Sequence, residues 1–178
     1  MARLNAKRLQ DENSFLAVPK DFKKITERIM DNDKLLKLIY YNTKDALDQP
    51  NLTLEQKLGL VNENILSHPY IPTSDDTKTY IQVLFDNFSP NATNPQYVDN
   101  FIVITVLCNK QNWILENWNL RLYAISNEIM NIISDKKLTG IGTAQFFGAT
   151  AFVPDKDNFG LTMTFSVINS INTREEEE

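Results

Sequence analysis

The stretch FIVITVLC, residues 101–108, is apolar at odd and even positions alike, with Thr105 the one polar residue. Such a run is what a strand needs when both faces of its sheet are covered. It is far too short to cross a bilayer as a helix. A central strand requires neighbours, and the sequence offers them on both sides. In TYIQVLFDNF, residues 79–88, the period is two. Ile81, Val83 and Phe85 share one face; Tyr80, Gln82, Leu84 and Asp86 share the other. Further on, GIGTAQFFGATAFV (140–153), a polar loop at 155–158 and FGLTMTFSVINSI (159–171) read as a hairpin. In its second strand Leu161, Met163, Phe165 and Val167 point one way, Thr162, Thr164 and Ser166 the other.

Outward from these strands the period becomes helical. Between the central strand and the hairpin, LRLYAISNEIMNIISD (120–135) carries a stripe of Leu122, Ile125, Ile129 and Ile132, with Asn117 or Asn119 as cap and Leu138 and Gly140 closing it. Ahead of the first strand, KDFKKITERIM (20–30) places Phe22, Ile25 and Ile29 on one face. Asp31, Asn32 and Asp33 offer N-cap chemistry for KLLKLIYYNTKDAL (34–47), with a buried stripe of Leu35, Leu36 and Ile39. Thr53 and Gln56 form a capping box for LEQKLGLVNENILS (54–67), whose apolar face is Leu54, Leu58, Val61 and Ile65. Pro69 and Pro72 end that helix.

The expected fold is α+β: a mainly antiparallel four-stranded sheet with a helix packed on one face, preceded by a helical N-terminal region. The expected organisation is an N-terminal arm (1–19), a helical region (20–72), an α+β core (73–172) forming one compact unit with it, and an acidic disordered tail (173–178). Hydrophobic residues make up 42% of the 178, ordinary globular usage, so neither a membrane protein nor a disordered chain is expected. The N-terminus has basic residues with no apolar run behind them and does not read as a signal peptide.

Chemistry is hard to find. Cys108, the single cysteine, excludes an internal disulfide and any multi-cysteine metal site, and within its strand it reads as a small apolar residue. His68, the single histidine, reads as a turn residue. Gly140-Ile141-Gly142 follows a helix and opens a strand, the reverse of a dinucleotide-binding turn. Asp155, Lys156, Asp157 and Asn158 begin like a calcium loop, but Phe159 replaces an oxygen ligand and Ser166 the closing glutamate. Asp75 and Asp76 sit in a polar turn and read as solvated. The expectation is no enzyme, no catalytic residue, no cofactor and no metal. The net charge is −5 with no block of Lys and Arg, which disfavours capture of a nucleic-acid backbone.

Contact residues are better candidates. Trp113 and Trp118 flank a polar segment and read either as interface anchors or as a lid on the open end of the core. Phe146 and Phe147 must point to opposite faces of one strand, so one of them lies outside the main core.

Taken in order, LLKLIYYNTKDAL, TYIQVLFDNF, DNFIVITVLC, NLRLYAISNEI and LTGIGTAQFFG resemble the neck and tail-terminator (tail-completion) proteins of tailed phages infecting Gram-positive bacteria, over residues 20–170. The resemblance implies a virion protein assembled in the host cytoplasm. It forms a ring, usually of six copies, that docks on the last ring of tail-tube protein, stops its polymerisation and meets the head connector or stopper. A sheath protein is a further partner if the tail is contractile; DNA passes the lumen without specific binding, and no membrane is involved. The interface residues expected on this reading are Trp113, Trp118, Arg121 (pairing with an acidic neighbour, or else simply exposed), Phe147, Asp155, Lys156, Asp157 and Asn158. The loop 91–97 and the arm from Arg3 to Phe15 join them. The alternatives are another neck component (stopper or adaptor), a small phage enzyme or host-interaction factor, and a generic regulatory binding module.

Overall fold

A computed structural model describes residues 18–93, 97–137 and 143–170. The expected N-terminal arm up to residue 17, the Gly140–Gly142 turn with Leu138, and the acidic tail lie outside the described residues. The described residues form four α-helices and five strands: α1 (Val18–Met30), α2 (Asp33–Tyr40), α3 (Leu54–Leu60), β1 (Ile65–Leu66), β2 (Tyr80–Pro90), β3 (Tyr97–Asn109), α4 (Arg121–Ile133), β4 (Gln145–Phe152) and β5 (Asn158–Ser170).

The strands form one mixed sheet in the order β1-β2-β3-β5-β4, so the fold is α+β with five strands where the sequence suggested four. The four long strands pair antiparallel as expected. The fifth, β1, is two residues long and runs parallel to β2, with Ile65 beside Ile81 and Leu66 beside Gln82. It corrects the reading of 54–67 as one helix. The capping box is present: Thr53 Oγ1 accepts from Gln56 N and Gln56 Oε1 from Thr53 N. The helix nonetheless stops at Leu60, because Asn62 takes a left-handed φ of 68° and turns the chain into the sheet. Asparagine is among the few residues that enter this region at small cost.

FIVITVLC is indeed the centre of the sheet. Ile102, Ile104, Val106 and Cys108 lie on the face toward the helices, joined by Ile81 and Val83 of β2 and Met163, Phe165 and Val167 of β5, all buried. Helix α4 lies over β3 and β5, and α1 and α2 pack against α4. Leu122, Ile125 and Ile129 are buried as the stripe required, and Ile133 replaces Ile132 as its last fully buried member. Leu120 holds the N-cap position, and neither Asn117 nor Asn119 does. One hydrophobic cluster runs from Ile25 to Val167 and joins helical and sheet residues.

Among the described residues the other face of the sheet is covered at one end. Tyr70 packs on Leu66, Tyr80 and Leu107, and the Asp76 carboxylate accepts from the hydroxyls of both Tyr70 and Tyr80. These bonds bolt the segment after β1 across that end. Beyond it the face carries Thr105, Thr162 and Thr150 in one row, with the hydroxyls of Thr105 and Thr162 3.0 Å apart.

Candidate interaction surface

Strand β4 is the outermost strand on the side opposite β1. Seven of its eight residues are exposed and the eighth, Gly148, is half-buried. Helix α4 packs chiefly over β3 and β5. The sequence of β4, QFFGATAF, contains neither charge nor proline, the two devices that usually blunt a sheet edge. A bulge sits between Phe146 and Gly148, and it divides the two aromatics. Phe146 faces Phe165, ring centroids 5.7 Å apart. Phe147 faces the other side, against Phe101 at 5.2 Å, and remains 71% exposed. The opposite-face reading of this pair therefore holds. At the far end the ring of Phe152 lies over Gly160, where a Cβ atom would come within 2.4 Å of it; glycine is what allows the ring to lie down there.

The other expected contact residues are distributed differently. Trp113 is half-buried against Phe159 and Tyr123, at 5.2 and 6.3 Å, and closes the end of the core. Trp118 is 86% exposed. It sits at the tip of a loop held by Leu115 N to Asn119 O (2.8 Å), Glu116 N to Lys44 O (2.9 Å) and Arg121 N to Trp113 O (2.9 Å). Asn117 and Trp118 both have positive φ, 58° and 61°. For tryptophan this conformation is strained, at a cost of about 1–3 kcal/mol that the surrounding hydrogen bonds must offset.

Arg121 is neither exposed nor placed for a neighbour. It is fully buried, and its guanidinium donates to the carbonyls of Asn112 (2.8 Å), Leu38 (2.6 Å), Tyr41 (2.8 Å) and Thr43 (2.5 Å). Loss of hydration lowers its pKa from the ordinary value. It remains cationic, since the arginine starting value lies so high. The bonds to Leu38 and Tyr41 meet the carbonyl end of α2, where a cation is favoured. They also explain why α2 ends at Tyr40 and does not continue to residue 47.

In the hairpin loop the carboxylate of Asp155 accepts from the side chain of Asn158 (2.9 Å) and from the amides of Asp157 (2.7 Å) and Asn158 (2.9 Å), which lowers its pKa. Asp157 pairs with Lys110, and Asn158 is fully buried. Of the four residues only Lys156 is exposed. These polar residues hold the loop to the sheet end and leave little to offer a partner. Asn91 likewise bonds Asp99 at 2.9 Å. Cys108 is buried, and desolvation raises its thiol to about 11. Among the described residues no three of His, Cys, Asp and Glu come together to hold a metal ion, and no helix is long and apolar enough to cross a membrane.

One exposed patch escaped the sequence reading. Leu54 and Leu58, expected in the core, are 72% and 60% exposed on α3. The signal was present in the short helix and in Gly59, and only the turn at Asn62 decides which way the stripe faces.

With this geometry in hand, the YomW family model matches residues 32–167, from the N-cap of α2 through every strand of the sheet. The chain belongs to the YomW family. The name is of a phage-like Bacillus kind and hints at a phage origin, and it is not that of the tail terminators. The YomW match leaves α1 outside and takes in both exposed patches, β4 and α3. A search of curated proteins finds no match to the chain.

Proposed function

We propose that this YomW-family protein is a structural component of a tailed-phage virion. It forms a ring with identical copies at the head-proximal end of the tail, terminating the tube and meeting the head connector. The observation that carries this reading is the open, uncharged, apolar strand β4, which a protein working alone would have reason to cover or charge. Binding by shape and contact suits a chain in which the half-buried Asp76 and Asp155 and the buried Arg121 are all engaged within the protomer in holding loops. Trp118 stands on a loop at the sheet end, where a contact along the tail axis, to tube or connector, would use it. The net charge of −5 lets DNA pass a ring lumen without capture of its backbone.

The test is a phage in which the gene is interrupted. Electron microscopy should show tails of uncontrolled length, or tails and heads that fail to join, and the intact virion should contain the protein by mass spectrometry. Normal particles without it would end the proposal.

A further inference from the structure

We infer that self-association is head-to-tail, with strand β4 of one copy docking on the Leu54 and Leu58 face of α3 on the next. This rests on the self-assembly part of the reading above and assigns its two surfaces. Leu54 and Leu58 are spaced i, i+4 and so share one face of α3. The core takes only Leu60 from this helix. Among the described residues the apolar pair thus stays uncovered, with Leu54 72% and Leu58 60% exposed, although capping at Thr53 holds the helix in place.

Position makes the two patches a pair. Through the turn at Asn62, α3 leads directly into β1, the outermost strand at one edge of the sheet; β4 is outermost at the other. Contacts that use two different surfaces on opposite sides of a subunit close into rings where the rotation between copies permits, and otherwise extend as filaments. A two-fold contact of β4 with itself would leave α3 uncovered.

Charge selects a second copy as the occupant. Each copy carries −5, so a contact between copies must avoid facing like charges. Strand β4 has none. On α3, Lys57 is neutralised by Asp33 at 2.6 Å, which leaves Glu55 at the rim. A strongly charged partner would find nothing complementary on either patch. The receiving element is the helix and not the bare edge of β2. Beyond Gln82 that edge carries Asp86, a bulge before Ser89, a left-handed Asn87 and Pro90, all of which oppose strand pairing. Two leucines and a few aromatics fall short of the roughly 800 Å² per partner of a self-sufficient interface. Association is therefore weak and rises with concentration.

Sedimentation velocity on the full chain tests this with two variants at exposed positions, Phe147→Asp and the double variant Leu54→Glu, Leu58→Glu. Each should melt like the wild type. Each alone should associate at least ~10-fold more weakly than the wild type. Mixed, they should form a one-to-one dimer, since each retains the half that the other lacks. If the α3 variant alone associates like the wild type, or if the mixture gives no dimer, the assignment is overturned while self-assembly stands. A wild type that stays monomeric at every concentration overturns it too, and the phage role is then decided by the virion experiment.

Discussion

Two buried charges show how single residues set the stability of this protein. Arg121 has four backbone carbonyls as its hydrogen-bond partners, drawn from the end of α2, the loop after it and the turn before α4. Truncation leaves those acceptors buried and unpaired, at about 1–3 kcal/mol each where water cannot reach them. Arg121→Met should therefore cost about 3–5 kcal/mol in urea unfolding. Arg121→Lys should recover only part of this, because an ammonium cannot span carbonyls set around a planar fork. Asp21 is the opposite case. In the first turn of α1 the helix dipole and Lys24 and Lys20 favour its charge, yet burial outweighs them and its pKa rises from 3.8 to about 6. A raised carboxylate pKa means that the folded state prefers the proton. The stability this gives is complete below pH 3.8 and is lost as pH rises through 6. Asp21→Asn should raise Tm at pH 7.5 by at least about 2 °C and leave it unchanged near pH 4. A gain of equal size at both pH values would contradict this account.

At the scale of elements, the sequence was most legible where one period ran through a whole segment. FIVITVLC, the alternation in β2 and β5 and the stripe of α4 are fixed by residues that lie next to one another, and the structure keeps them in outline. The exceptions are Phe101 and Val103 on the second face of β3, only half-buried where cover on both faces was expected, and Ile133, which takes the place of Ile132. Legibility failed where a distant residue or a single backbone torsion intervened. Helix α2 stops at Tyr40 because Arg121, 80 residues from Tyr41, takes the carbonyls there. Helix α3 stops at Leu60 because Asn62 turns, and the same turn creates β1 and turns Leu54 and Leu58 outward. The site was half legible for the same reason. That Phe146 and Phe147 face opposite ways was readable from alternation, although a bulge beside them takes part in the structure, whereas the burial of Arg121 and Asn158 depends on loops that meet only in the folded chain. Helix α3 also carries Gly59, whose Cβ position faces open space and whose φ is not left-handed. Gly59→Ala should stabilise the protein by about 0.5–1 kcal/mol in chemical unfolding. No change in Tm would mean that α3 is not held as a helix in solution, which would also weaken its role as a docking face.

For the molecule as a whole, the balance is between an acidic surface and two apolar patches, the uncharged strand β4 and the Leu54 and Leu58 face of α3. Copies that each carry −5 repel one another across their charged surfaces. The Debye length of about 14 Å at 50 mM salt shortens to about 4–5 Å at 500 mM, which removes most of that repulsion. An apolar contact between β4 and α3 has no ion pair to lose over the same range, and apolar burial is not weakened by salt. Association of the wild type should therefore strengthen, by about threefold or more, between these two salt concentrations. An interface built from the charged residues of the 155–158 loop would weaken instead, since surface ion pairs are screened. Sedimentation at both salt concentrations reads the sign directly. Weakening with salt would move the subunit contact from the bare strand edge to the charged sheet end, where Lys110, Asp157 and Lys156 gather, and the ring would have to be rebuilt around that end.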